Sequence, residues 1–383
     1  MNILMISDVY FPRINGVSTS ILTFKNEFEQ LGHQVSLIAP SYNNEKEEKR
    51  IYRISSRAIP YDPEDRMMSY KAVIKLLPIL KKQDFDLIHI HTPFVAHYAG
   101  VKLGKLLGIP CIATYHTLFE EYLYHYIPLI PKQIMRFFAR RFSSSQSDQV
   151  CGVIAPSSVI VNLLEKYGVQ NKISIIPTGI DSKQFTYGHP ENFKSKYNIP
   201  ADKKLLLNVS RVAFEKNMGV LIEMLQLVKN EIPDIHLIIA GEGPAKQSYI
   251  QLAKKLGLDE DISFVGYLDR ATELVDCYHS ADLFVFSSKT ETQGLVLLEA
   301  MAAGTPVVSV AEMGTRDVLK GCAAAKITTG EAKDFADKVI SILKNQETLK
   351  TLKSEAKPYA ATWDSTTLAK KMLEFYQTVL DSN

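Results

Sequence analysis

Ser288-Lys-Thr-Glu-Thr-Gln-Gly-Leu-Val-Leu-Leu-Glu-Ala-Met-Ala-Ala-Gly-Thr-Pro-Val-Val308 is the stretch whose reading decides the fold. An apolar run of strand length, 283–287, precedes it, and a second run, 306–310, closes it. Between them lie a loop and a helix opening at Gly294 and running to Ala303. Strand, loop, helix and strand in that order make a βαβ unit, which implies a parallel sheet covered by helices. A helix that starts just after glycine presents unbonded N–H groups and the positive end of its dipole, which suits a phosphate. Glu299 falls inside an otherwise apolar helix, where a bare carboxylate is costly unless paired or hydrogen-bonded. Four residues on from Leu295, it shares a face with the first turn, and its two oxygens match a ribose diol. Glu291, on the loop, is placed to meet a sugar. A surface helix whose glutamate pairs with a nearby lysine would explain one such residue. Two glutamates flanking a glycine helix start at a strand end favour a ligand.

The same alternation extends outward in both directions. Upstream, strands are predicted at 2–7, 33–39, 86–91, 110–115, 152–155 and 173–177, with helices at 17–31 and 95–107. The pattern restarts with strands at 205–209, 236–240 and 262–265 and helices at 218–229 and 247–256. The polar stretch 181–204 separates the two series. The expected architecture is α/β: two Rossmann-like, doubly wound domains, 1–183 and 184–361, with a C-terminal helical segment, 362–383, packing back on the first. Ligands in such folds bind at the carboxyl ends of the strands, here in a cleft that the two domains would face.

Arg211 and Lys216 follow the first strand of the second series, where two cations can neutralise a diphosphate leaving group. Gly241-Glu-Gly-Pro lacks the third glycine of a dinucleotide fingerprint, since position 246 is lysine, and reads as a tight turn. Gly266-Tyr267-Leu268 could bring backbone beside a nucleobase, although from spacing alone a plain strand end is the preferred reading. In the first half, Gly16 lies between the first strand and first helix and permits close backbone approach. His116 ends a strand at the expected cleft. His89 and His91 face one way by strand period. With no third ligand at sensible spacing, structural hydrogen bonding is preferred to a metal site for them.

Apolar residues make up 46% and charged residues 22% of the 383, and the net charge is +2, which gives no global attraction to nucleic acid. The four cysteines form no C-x-x-C pair, so neither a disulfide framework nor structural zinc is expected, and a reducing cytoplasm fits. Asp8 interrupts the N-terminal apolar run, which reads as a strand and not a signal peptide. No stretch reaches the roughly 18 apolar residues of a spanning helix.

Taken together, Glu291-x7-Glu299 with the following Ala-Met-Ala-Ala-Gly-Thr-Pro-Val-Val, the Arg211 to Lys216 segment, Ile176-Pro-Thr-Gly-Ile-Asp and the Gly16 loop resemble the retaining GT-B glycosyltransferases. That family includes sucrose synthases and phosphatidylinositol mannosyltransferases, and the resemblance spans nearly the whole chain. It implies that Glu299 binds the donor ribose and Glu291 a hydroxyl of the transferred sugar. Arg211 and Lys216 would hold the diphosphate, helped by backbone at Gly294, Leu295 and Val296. His116 would sit by the sugar, and Gly16 near donor phosphate and acceptor. Metal-free, cofactor-free, retaining chemistry on a nucleotide sugar follows from the same resemblance, with UDP-glucose as first donor. Where many members have Gly-Phe-Gly after the first glutamate, this chain has Thr292-Gln-Gly. That departure, with Thr114-Tyr-His-Thr-Leu-Phe-Glu-Glu-Tyr, is similar to bacterial diacylglycerol glucosyltransferases. Competing readings are an enzyme extending a surface polysaccharide or other glycan, a two-step sugar-nucleotide epimerase, and a non-catalytic sugar-binding protein.

The segment 122–142 carries the membrane expectation. From Pro131 onward it has no acid, and Lys132, Arg136 and Arg140 recur at four-residue steps, with Arg141 beside them and Phe and Met supplying apolar bulk. Such a helix can lie on an anionic membrane surface. An ordinary domain helix with phenylalanines in the core is the plainer alternative. The expected partners are a nucleotide sugar, a lipid or glycan acceptor and the inner face of a membrane.

Overall fold

The computed structural model describes all residues except 43, 44, 46, 47, 60, 61, 117–131 and 383, and describes the backbone alone at 62–64 and 132–137. The chain forms two compact units, Met1–Gly179 with Ser365–Asn383, and Ile180–Asp364. The division falls at 179/180 and 364/365, a few residues from the expected 183/184 and 361/362. Ile180 sets the first: its N–H bonds Trp363 O at 2.8 Å and its side chain joins the core of the second unit.

In the first unit the elements run β1 (Asn2–Ile6), α1 (Gly16–Gln30), β2 (Gln34–Pro40), β3 (Ile51–Ile54), β4 (Ser56–Ile59), β5 (Asp62–Met68), α2 (Tyr70–Ile74), α3 (Leu77–Leu80), β6 (Leu87–Ile90), α4 (Val95–Leu107), β7 (Cys111–Thr114), α5 (Lys132–Ser147), β8 (Gly152–Ala155), α6 (Ser158–Lys166) and β9 (Ile173–Ile175). Its seven-stranded sheet has the order β3-β2-β1-β6-β7-β8-β9, parallel throughout, and β4 and β5 form a separate antiparallel pair. In the second unit they run α7 (Pro190–Lys196), β10 (Lys204–Val209), α8 (Gly219–Lys229), β11 (Ile235–Ala240), α9 (Lys246–Lys255), β12 (Ile262–Gly266), α10 (Glu273–Ser280), β13 (Leu283–Phe286), α11 (Leu295–Ala302), β14 (Val307–Val310), α12 (Gly314–Leu319), β15 (Ala325–Thr328), α13 (Ala332–Lys344) and α14 (Gln346–Ala361). This sheet is also parallel, in the order β12-β11-β10-β13-β14-β15.

Strands β6, β13 and β14 are buried at every residue, as expected when helices cover both faces of a parallel sheet. Strand order reverses between β1 and β6 in one sheet and between β10 and β13 in the other. Helices leave for opposite faces at such a point, and a crevice opens at the carboxyl ends. Asp86 and Asp261, just before β6 and β12, lie at the opposite edge and are structural. Asp86 accepts from Asn2 N at 2.6 Å, and Asp261 pairs with Lys203 and Lys229.

Strands β3 and β15 were not predicted from the sequence. Each is a four-residue edge strand with polar members, so no apolar run marks it.

The tail helix, Ser365–Leu380, buries Leu368 and sets Ala369, Met372, Phe375, Tyr376 and Val379 in the core of the first unit. Gly152 makes room for it, since a Cβ there would come within 2.8 Å of the Phe375 ring. Its N-terminus is held by the buried Glu27 of α1, which accepts from Ser365 Oγ at 2.5 Å and Thr366 Oγ1 at 2.9 Å. Glu27→Ala leaves both hydroxyls without that partner and is expected to destabilise the first unit by about 1–3 kcal/mol. Thermal or urea denaturation of the intact chain measures this, and unchanged stability would contradict the role given to Glu27.

Candidate functional site

In the second unit the reversal between β10 and β13 gathers most of the sequence candidates. β10 ends in Val209 and leads through Arg211 to a short 3-10 turn, Phe214–Lys216. β13 ends in Phe286 and leads through Ser287 and Ser288 to Glu291. Two hydrogen-bond sets tie these loops together. Asn208 Nδ2 donates to Val285 O at 2.8 Å, and Ser287 Oγ bonds the carbonyls of Lys216 and Asn217, each at 3.0 Å. Lys216 Nζ consequently reaches Glu291 Oε1 at 2.5 Å. Burial pushes the Glu291 carboxyl up, but the Lys216 charge and its hydrogen bond outweigh this, and the net shift is downward. Glu291 is therefore ionised at neutral pH and opposes the lysine charge. Arg211 instead stands 3.8 Å from Glu215.

The loop bearing Glu291 is braced from below. Gly314 N donates to Glu291 O at 2.8 Å, and a Cβ on Gly314 would fall 2.0 Å from Thr292 O, so only glycine lets α12 approach. Gly294 caps α11 with φ +94, a left-handed conformation that favours glycine. Leu295 and Val296 follow, half-buried, in the first turn. One turn further on, Glu299 is buried and ionically paired. Arg270 donates to its Oε1 at 2.6 Å and the Tyr278 hydroxyl to its Oε2 at 2.8 Å. The Glu299 charge holds Arg270 more firmly protonated, and burial followed by that same charge raises the Tyr278 phenol well above its usual range. The sequence reading missed both partners. Arg270 lies just past Tyr267 on the loop after β12, at the same sheet edge, but a lone arginine in a polar loop gives no signal. At the end of β12, Gly266 has φ +75 and its carbonyl accepts from Gly241 N at 2.8 Å. Tyr267 is exposed, whereas the Leu268 side chain belongs to the core, so at that position backbone alone can meet a ligand. The Gly241-Glu-Gly-Pro turn is tight as expected: a Cβ at Gly241 would lie 2.0 Å from Ser210 O.

In the first unit Asp8 and Thr92 meet at the reversal between β1 and β6, with Thr92 Oγ1 donating to Asp8 Oδ2 at 2.8 Å. Asp8 also accepts from Ala96 N at the start of α4, and burial raises its carboxyl to about 6. Gly16 opens α1, whose cap is Asn15, and no atom lies within 4 Å of a Cβ added there. His116, just past β7, is half-buried and meets His91 at 3.1 Å. His89 spends both ring nitrogens, on Thr114 and Tyr376, each at 2.6 Å, which is the structural reading preferred for it.

Of the membrane candidates, 122–131 and the side chains of Lys132 and Arg136 lie outside the described residues. Arg140 and Arg141 are exposed, and Arg140 Nε also donates to Tyr167 O at 3.4 Å, so it is partly engaged by its own unit. Phe138 is exposed and Ala139 buried. The structure adds a second basic face that the sequence reading did not identify. Helices α2 and α4 pack together, and neither 66–83 nor 93–110 contains an acidic residue. Lys71, Lys75, Lys81, Lys82, Lys102 and Lys105 are exposed there, with Tyr70, Ile79, Tyr98 and Leu106 exposed among them. The two acid-free windows were visible in the sequence, but their adjacency was not.

Comparison with known proteins agrees with this arrangement. Residues 14–184 match the family described as Glycosyltransferase Family 4, and 190–358 the family described as Glycosyl transferases group 1. The alpha-monoglucosyldiacylglycerol synthase of Streptococcus pneumoniae is 36% identical over 81% of this chain and 71% of its own length. The protein of the same name from Acholeplasma laidlawii is 29% identical over 100% of this chain and 98% of its own. Among solved structures, sucrose-phosphate synthase from Thermosynechococcus elongatus superposes with a TM-score of 0.81 at 20% identity, covering 100% of both chains. Anabaena HepE in complex with UDP and glucose superposes with a TM-score of 0.81 at 18% identity, over 99% of this chain and 100% of its own. At such identities these two bear on the fold alone. The chain belongs to the group 1 glycosyltransferases, with the GT-B fold, and is a nucleotide-sugar-dependent glycosyltransferase.

Proposed function

We propose that the chain is a retaining hexosyltransferase that moves glucose from UDP-glucose to a diacylglycerol-type lipid at an anionic membrane surface. The observation that carries the transfer chemistry is the Lys216–Glu291 pair at the β10/β13 reversal, on the loop that leads into the helix bearing the buried Glu299. Lys216, with Arg211, supplies positive charge to a departing diphosphate, and Glu291 accepts a hydrogen bond from a hydroxyl of the transferred sugar. Glu299 takes the ribose hydroxyls, exchanging bonds now made by Arg270 and Tyr278. The acceptor hydroxyl attacks the anomeric carbon on the face from which the nucleotide leaves. The C–O bond to phosphate breaks as the new glycosidic bond forms, and the departing phosphate oxygen takes the acceptor proton. Stabilising the leaving group is the main electrostatic task, which protein cations can perform without a metal.

The lipid acceptor is supported by the names of the two relatives and by the lysine face of α2 to α4. Exposed lysines interspersed with tyrosine, isoleucine and leucine suit the interface of an anionic bilayer, each basic residue contributing about 1 kcal/mol near the surface. Among the described residues no helix is long and apolar enough to cross a membrane. Attachment on this reading is therefore by surface contact, with Arg141 and Phe138 of α5 as further contributors.

The test is a panel of nucleotide sugars against diacylglycerol and soluble glycans, with EDTA present, read by product mass and anomeric configuration. An α-glucosyl lipid from UDP-glucose is expected. Transfer only to glycans would replace the lipid acceptor, altered donor without acceptor would indicate an epimerase, and activity restored only by added metal would overturn the metal-free mechanism.

Glu291→Ala and Lys216→Ala are each expected to lower kcat/KM by roughly 2.7–4 kcal/mol equivalent in activation free energy. Because the two side chains are bonded to each other, the double variant should lose less than the sum. Near-normal turnover in either folded variant would refute its role. Reversing Lys71, Lys75, Lys81 and Lys82 to Glu is expected to abolish salt-sensitive binding to phosphatidylglycerol vesicles. Binding unchanged by the reversal would exclude this face.

A further inference from the structure

The first unit holds a histidine array that the chemistry above does not use. His89 and His91 project to one side of β6 with ring centroids 3.9 Å apart. His89 is held at both nitrogens. His91 is buried, and its Nδ1 lies 3.1 Å from His116 Nε2, with the two rings stacked at 19°. Among the described residues nothing bonds His91 Nε2, which is itself buried, and nothing bonds His116 Nδ1.

One proton lies between the two facing nitrogens, and two neutral arrangements could supply it. In the first, His116 Nε2–H donates to His91 Nδ1, and His91 must then carry its own proton on the buried, partnerless Nε2. In the second, His91 Nδ1–H donates to His116 Nε2, and the atom left over in the interior is a bare lone pair. A buried N–H without an acceptor is rarer in folded proteins than an under-used acceptor, which favours the second. The hydrogen bond at one ring nitrogen fixes which tautomer the ring adopts. We propose that His91 is a positioning residue that locks His116 as the Nδ1–H tautomer, making its remaining nitrogen a permanent hydrogen-bond donor to a ligand oxygen.

Burial holds the rings neutral: it lowers His116 to about 4 and His91 well below its ordinary value, the latter reinforced by His89 and His116. His116 then cannot serve as a general base near neutral pH, because its one free nitrogen already bears the proton. A neutral imidazole held this way donates to an oxygen without a charge change. The identity of that oxygen, a hydroxyl of the transferred sugar, rests on the function proposed above, whereas the tautomer does not.

The experiment has two arms. Nitrogen-15 NMR of the intact histidine-labelled chain reads the tautomer directly. A protonated Nδ1 and unprotonated Nε2 at His116 are expected, and the reverse assignment overturns the proposal. In the second arm His91→Leu removes the donor, while His91→Asn keeps an amide N–H near the former Nδ1. His91→Leu is expected to lower kcat/KM for UDP-glucose about 10-fold, a loss of one hydrogen bond, with affinity for bare UDP unchanged. His91→Asn should recover most of that loss. Equal activity in the Leu and Asn variants, or a parallel loss of UDP affinity, overturns the positioning role. Should His91→Leu fail to fold, the wild-type spectrum still decides. Should the wild type transfer no sugar from any nucleotide donor, the functional reading falls while the tautomer assignment stands on its own result.

Discussion

A parallel strand cannot rejoin its neighbour through a tight turn, so each must be followed by a crossover that covers one face of the sheet. Burying both faces requires some crossovers to go to each side, and strand order must then reverse somewhere. In the second unit that reversal lies between β10 and β13, and the loops leaving them diverge to opposite faces. What they carry, Arg211 to Lys216 on one and Ser287 to Glu291 on the other, meets because the topology leaves those strand ends adjacent. Buried, fully apolar strands supply rigidity, and polar chemistry is confined to their ends.

Charge in this region is balanced by pairs instead of by solvent. Lys216 is opposed by Glu291, Arg211 by Glu215, and Arg270 by Glu299. Partly buried charges demand such partners, since an unpaired one would cost several kcal/mol. Each pair is also exchangeable, because a diphosphate can replace a carboxylate beside a cation and a diol can replace a donor beside a carboxylate. The histidine cluster of the first unit uses the opposite device. Burial strips its histidines of charge, and hydrogen bonds to Thr114, Tyr376 and one another take the place of ion pairs.

The fold was legible in the sequence wherever a strand is buried on both faces. Runs such as 283–287 and 236–240 cannot be surface loops, and the glycine at 294 marks a helix start that the structure places at φ +94. The edge strands β3 and β15 were not legible, because each is only four residues long and a basic residue interrupts its apolar members. At the site, individual candidates could be named, but not their pairing. Nothing local links Lys216 to Glu291, 75 positions apart. Arg270 and Tyr278 were invisible as partners of Glu299 because their approach depends on how the loop after β12 and helix α10 lie against α11. The lysine face of α2 and α4 likewise exists only once two acid-free segments are packed together.

A crystal structure of the chain with an intact nucleotide sugar tests the account most directly. The account predicts that Lys216 Nζ leaves Glu291 for the diphosphate, that Glu291 accepts from a sugar hydroxyl, and that Glu299 bonds the ribose. A donor bound with the Lys216–Glu291 pair intact and its phosphates held elsewhere would contradict it.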